Sequence, residues 1–99
     1  MRLGAAARIR RNPNVVTRRQ AGEVLLVPIR NDMAEVSGML YLLPNEVSIR
    51  IWEHLAQEST FDRLVEAIEA EYEADRESVT RDVSEYLEQL QSIGAIVIS

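Results

Sequence analysis

The spacing of apolar residues changes at Pro44-Asn45 and divides the chain into two parts of different secondary structure. Before this point, short apolar runs bounded by turn residues predict strands over 15–19, 23–27 and 37–43. After it, apolar residues recur at the spacing of amphipathic helices. Strands followed by helices predict an α+β fold in which the helices gather on one side of a small sheet.

Three helices are predicted from these apolar stripes and from the residues at their ends. The first runs over 45–57 behind Asn45, the second begins after Thr60, and the third lies between Asp75 and Gly94. The three polar residues are good N-caps, because their side chains accept a hydrogen bond from a free N–H of the first turn. Gly94 favours the left-handed conformation that ends a helix.

The two ends of the chain are predicted to differ from the rest. Residues 1–12 are rich in arginine and lead into Asn12-Pro13-Asn14, which has the chemistry of a turn. We therefore expect an irregular, flexible basic tail over 1–12, followed by a single domain over 13–99. Residues 95–98 form a short β-prone tail at the other end.

The third predicted strand is apolar on both of its faces. Successive side chains alternate, so one face carries Met39, Tyr41 and Leu43, and the other carries Leu40 and Leu42. A strand with only one covered face shows polar residues on the other. We therefore expect both faces to be covered, either by the domain itself or by a bound partner.

Composition argues against several classes of function. The chain has no cysteine, which excludes disulfides and thiolate zinc sites, and its one histidine, His54, cannot form a metal cluster alone. No phosphate-binding loop or nucleophile motif is present. We therefore expect no enzyme activity from this chain alone and no cofactor. No apolar run approaches the ~20 residues that span a bilayer, so we expect a cytoplasmic protein without a membrane partner.

A winged helix-turn-helix that binds DNA is one interpretation of a small sheet with a closely connected helix pair. Charge disfavours it. Residues 1–30 hold seven arginines and one glutamate, whereas 31–99 hold four arginines and fifteen acidic residues. The third helix, which would enter the groove, has more acidic than basic side chains, and phosphates would be repelled.

Peptide binding at the edge of the third strand is the other interpretation, because an exposed edge can accept an extended segment as a further strand. The residues predicted to line a groove between this strand and the third helix are Met39, Leu40, Tyr41, Leu42, Val79, Val83 and Tyr86. The alternative is that these residues, on the strand as well as on the helix, are ordinary core residues. Two other occupants of the edge are the tail 95–98 and a second copy of the chain, so the protein is a monomer or a homodimer.

An ordered set of short motifs extends along most of the chain. They are Gly22–Val27, Gly38–Tyr41, Asn45–Val47, Ile51-Trp52, Thr60, Glu71-Tyr72, Asp82-Val83, Leu87, Leu90 and Gly94. Together they resemble the PqqD-like family, whose members recognise ribosomally made peptides that are later modified. The sequence differs from the usual family pattern by one extra residue near Pro44 and by Ser48, where the family usually has Gly or Ala.

The resemblance implies a winged-helix-like domain of three strands and three helices. It implies that the leader segment of a precursor peptide binds as an added strand beside the third strand and packs against the third helix. The peptide is then presented to a modifying enzyme, often a radical S-adenosylmethionine protein. Asp82 matches a frequent acidic residue of the family, which serves either the electrostatics of the helix start or a peptide contact.

Overall fold

The computed structural model describes residues 7–28 and 41–99. The strands are β1 (Arg8–Arg11), β2 (Val15–Gln20), β3 (Glu23–Pro28), β4 (Tyr41–Leu42), β5 (Ser59–Thr60) and β6 (Ile96–Ile98), and the helices are α1 (Glu46–His54), α2 (Phe61–Tyr72) and α3 (Arg76–Ser92). The order of strands, three helices and a C-terminal strand confirms the predicted α+β class. β4 is the end of the third predicted strand, and the rest of that strand lies outside the described residues.

The first sheet is antiparallel in the order β2-β3-β4. β2 and β3 form a hairpin whose two turn residues, Ala21 and Gly22, both have positive φ angles of 53° and 83°. A turn of this kind matches the right-handed twist of the strands that it joins. Alternation along β3 buries Val24 and Leu26 against the helices, while Leu25 faces the other way.

The second sheet, in the order β5-β1-β6, corrects the prediction of an irregular segment before residue 13. Arg8–Arg11 is a strand, and Ile9 is 0% exposed. Its register places Ile9 opposite Ser59 on one side and Ile98 on the other. A single isoleucine among arginines gives no readable period, so only these distant partners define the strand. The predicted β-prone tail is confirmed as β6.

The predicted N-caps of all three helices are confirmed. Asn45 Oδ1 accepts from the Ser48 N–H at 2.9 Å, and Ser48 Oγ accepts from the Asn45 N–H at 3.1 Å, so α1 begins with a reciprocal capping box. Thr60 caps α2 by accepting from the Arg63 N–H, and Asp75 caps α3 by accepting from the Ser78 N–H. Gly94 follows α3 with φ of 77°, as its position predicts. α1 ends at His54, earlier than its apolar pattern indicates.

Trp52 connects α1 to both sheets. Its side chain is 1% exposed, and its indole N–H donates to Thr17 Oγ1 of β2 at 2.7 Å. The guanidinium of Arg11 in β1 lies 4.3 Å from the centroid of the ring and donates to the Trp52 carbonyl oxygen. Burial lowers the pKa of Arg11 from its ordinary value. These contacts fix the helix whose first turn forms part of the site described below.

A cluster of polar and charged side chains connects α1 to α2 and to β2. Arg50 donates to Glu71 of α2 at 2.8 Å and to Glu53 at 2.9 Å, and Glu53 also accepts from Arg19 of β2 at 2.6 Å. His54 completes the cluster at 2.8 Å from Glu71. Hydrogen bonds from Arg50 hold the pKa of both glutamates below the usual range.

We expect Ile9→Ala to destabilise the protein by about 2–5 kcal/mol, because it leaves a cavity at a fully buried position. Denaturant unfolding followed by circular dichroism measures this change. Val16→Ala is the matched control, since Val16 is 39% exposed and should cost less than about 1 kcal/mol. Equal small effects would show that β1 is not part of the folded core.

We expect stability to fall as the pH drops below about 4.5, in part because Glu71 becomes protonated. A carboxyl whose pKa is lowered by folding stabilises the protein above its unfolded pKa and loses that contribution as the pH falls through the folded one. Thermal melts should show that Glu71→Gln has a lower Tm at pH 7 and a smaller difference from wild type at pH 3. A constant difference at both pH values would contradict this origin.

Candidate functional site

Among the described residues, strand β4 lies at the edge of its sheet, and only the side of its backbone that faces β3 is paired. The Leu43 N–H donates to the Val24 carbonyl at 3.0 Å. The preceding residue, Leu42, is opposite Leu25. Antiparallel strands alternate between hydrogen-bonded and non-bonded pairs, so the N–H and C=O of Leu42 point away from β3. Within the described residues no strand lies on that side, and the C-terminal strand β6 pairs with β1 instead.

The two side chains of β4 face opposite directions. Tyr41 lies on the same side as the buried Leu26 and packs against the core, and its hydroxyl donates to Gln89 Oε1 of α3 at 3.0 Å. Partial burial raises the pKa of Tyr41. Leu42 lies on the outer side and is 45% exposed. The edge is therefore tied to α3 through Tyr41, while the outward side of its backbone has no strand partner within the described residues.

A cavity of about 260 Å³ opens between the start of α1 and the middle of α3, next to the end of β4. Its lining residues are Pro44, Asn45, Val47, Ser48, Ile51, Asp82, Glu85, Tyr86 and Gln89. The α1 side supplies apolar surface and the capping box, and the α3 side supplies one aromatic ring and three polar side chains. The cavity continues from the free edge, because Pro44 follows the last paired residue of the strand.

Tyr86 has an unusual position in this cavity. Its side chain is 7% exposed, yet its hydroxyl has no hydrogen-bond partner among the described residues. The nearby Ser48 hydroxyl already accepts from the Asn45 N–H and donates to its carbonyl at 2.7 Å. Burial, together with the neighbouring Tyr41, raises the pKa of Tyr86 well above the usual range, while the nearby Ser48 hydroxyl and the charge of Arg11 act in the opposite direction.

The residues that the sequence predicted for the groove fall into three groups. Tyr41, Leu42, Asp82 and Tyr86 lie at the edge or around the cavity. Val79 and Val83 are buried in the core at 4% and 1% exposure and do not line the cavity, so the core alternative describes them in this structure. Met39 and Leu40 lie outside the described residues.

Two polar residues on the α3 wall of the cavity, Glu85 and Gln89, were missed from the sequence, as were the lining residues at the start of α1. The signal for Glu85 and Gln89 was present, because with Asp82 and Tyr86 they follow the i, i+3, i+4, i+7 spacing of one helical face. They were missed because exposed polar positions on an acidic helix resemble an ordinary solvated surface. Only the approach of α1 makes this face part of a cavity.

The described residues show neither a metal centre nor a membrane span. No group of three or more potential ligands among histidine and acidic side chains is assembled there. No helix in the same part of the chain is long and apolar enough to cross a bilayer. The site is therefore defined by a free backbone edge and a cavity.

The fold and the edge together define a small α+β domain of the kind expected from the sequence. A family model described as "Coenzyme PQQ synthesis protein D (PqqD)" matches residues 24–96. The match covers most of the chain, so this protein belongs to the PqqD family, which confirms the resemblance noted from its motifs.

A solved structure supports the same assignment. This chain is similar to the structure described as "TbiB1 in Complex with the TbiA(beta) Leader Peptide", with a TM-score of 0.73 and 28% sequence identity. The alignment covers 88% of this chain and 93% of the other. No curated protein sequence matches the chain.

We expect Tyr86→Phe to leave the stability unchanged or to raise it slightly, because it removes a buried hydroxyl that has no partner. Tyr41→Phe is the control, and losing its bond to Gln89 should cost about 0.5–1 kcal/mol. Denaturant unfolding measures both. A loss above about 1 kcal/mol for Tyr86→Phe would reveal a bond to this hydroxyl that the structure does not contain.

Proposed function

We propose that this protein is a non-catalytic module that binds the leader segment of a precursor peptide and presents it to a modifying enzyme. The observation that carries the proposal is the outward-facing backbone of Leu42 at an edge next to the cavity on α3. A peptide added as a strand gains main-chain hydrogen bonds from such an edge, and pockets beside it select side chains.

The two comparisons support this proposal. The chain belongs to the PqqD family, and the similar protein TbiB1 is described in complex with a leader peptide. Sequence identity of 28% over most of both chains supports a shared mode of binding. The modifying enzyme, which in this family is often a radical S-adenosylmethionine protein, supplies the chemistry, and we place both partners in the cytoplasm.

DNA binding finds no support in these comparisons or in the surface of α3. Glu77, Asp82 and Glu85 are exposed on this helix. Arg76 is engaged in ion pairs with two acidic residues of α2 at 3.0 Å. A recognition helix with this charge distribution would repel the phosphate backbone.

The proposal is tested by titrating labelled peptides and measuring fluorescence anisotropy. The panel contains overlapping peptides from the short open reading frames next to the gene, together with the TbiA(β) leader peptide. We expect a peptide from the panel to bind and to shift the backbone amide signals of residues 41–43. A panel in which no peptide shifts these signals would contradict the proposed function.

Leu42→Pro tests whether the main chain of β4 forms the contact. Proline removes the outward N–H without removing a bond to β3, and edge strands tolerate it at such positions. We expect peptide binding to weaken by about three- to tenfold, the value of one net hydrogen bond. Leu42→Ala keeps the N–H and is the matched control, and equal affinities of the two variants would show that the edge is not used. Light scattering at the same concentration distinguishes peptide binding from pairing of two copies.

A further inference from the structure

We infer that the cavity between α1 and α3 is a selectivity pocket for a lysine or arginine side chain of the bound peptide. The inference rests on the proposed function and adds to it the chemical class of one peptide position. It follows from the shape, the charge and the unpaired groups of the cavity.

The inner surface of the cavity suits a long aliphatic stem. Val47 and Ile51 of α1 and the ring of Tyr86 supply apolar surface, and the volume of about 260 Å³ is far more than one water molecule needs. Lysine and arginine pack their methylene groups on such surfaces while the charged end stays in water. A short polar side chain would leave this surface unfilled.

The rim of the cavity is negatively charged, and few basic groups neutralise this charge. Asp82 and Glu85 lie one turn apart on α3, and none of the nine lining residues is basic. Within the described part of the chain Glu85 has no ion pair, and Asp82 has only a distant contact with Arg81 at 3.8 Å between two largely exposed side chains. Both carboxylates are therefore available to a cation on the peptide.

The positive end of the α1 helix dipole disfavours a cation in the cavity, but its effect is weaker than the attraction of the two carboxylates. A helix N-terminus carries a partial charge of roughly +0.5, and its effect falls off within the first turn. Here the capping box between Asn45 and Ser48 already satisfies two of its N–H groups. Two full negative charges on the opposite wall therefore exceed the dipole, and the net preference is for a positive side chain.

The hydroxyl of Tyr86 adds an independent sign that the cavity takes a ligand. It is a polar group on a side chain more than nine-tenths buried, it belongs to the wall of the cavity, and it lacks a partner within the described residues. A buried group of this kind is costly unless it is paired. The hydroxyl atom itself is closed off from solvent in this structure, so a ligand in the cavity pairs with it only when the Tyr86 side chain turns toward the cavity.

The test uses the tightest-binding peptide of the panel described above. Each lysine is replaced in turn by norleucine and each arginine by citrulline, which remove the charge and keep the stem. We expect one position to lose affinity by ~2- to 5-fold, the range for a partly exposed ion pair. The loss should shrink in the Glu85→Gln protein and at high salt.

Exchanging the charges of Glu85 and the basic peptide residue tests whether the contact is electrostatic or whether the substitutions weaken binding by disturbing the fold. The Glu85→Lys protein should bind the original peptide more weakly and recover affinity when the identified basic residue is replaced by glutamate. Glu66→Gln, on the exposed face of α2, is the control for net charge and should leave the affinity unchanged.

The outcomes separate the two proposals. A peptide that binds at β4 with no dependence on any basic residue, or with equal effects of Glu85→Gln and Glu66→Gln, would overturn the pocket and leave the proposed function standing. The absence of any peptide binding at β4 would overturn both.

Discussion

The burial of Trp52 is the interaction on which the rest of this structure depends. The side chain belongs to α1, yet its polar contacts are with Thr17 in one sheet and Arg11 in the other. A buried indole needs a partner for its N–H, and a partly buried guanidinium is stabilised by an acceptor or an aromatic face. These requirements fix how the two small sheets meet the helix, with a specificity that apolar packing alone does not provide.

The candidate site follows from the fixed position of α1. Its capped first turn forms one wall of the cavity, α3 forms the other, and the bond from Tyr41 to Gln89 ties β4 to the second wall. In the proposed function, the strand edge and the cavity divide the task of peptide recognition. The backbone of Leu42 would offer contacts that any extended chain can make, whereas the cavity would distinguish side chains. An open edge is also a liability for association, and here it is short in the described residues.

Much of the fold was predictable because its signals are local. The caps of the three helices depend on residues three positions apart, as Asn45 and Ser48 show, and the apolar stripes of α2 and α3 repeat within a few residues. The hairpin of β2 and β3 is signalled by Gly22 between two β-prone runs. Strand β1 was not predictable in this way. Ile9 pairs with Ser59 and Ile98, far away in the sequence, and its own neighbours along the strand are three arginines.

The site shows the same division between local pattern and tertiary contact. The amino-acid sequence by itself determined the α+β order, the N-caps of the three helices, the family motifs and an apolar strand whose edge can accept a partner. Only the tertiary structure decided which α3 residues are core and which meet solvent, placing Val83 inside and Glu85 on the cavity rim. The physical reason is that periodicity assigns a residue to a face of its own helix, whereas a cavity exists only where a second element approaches that face.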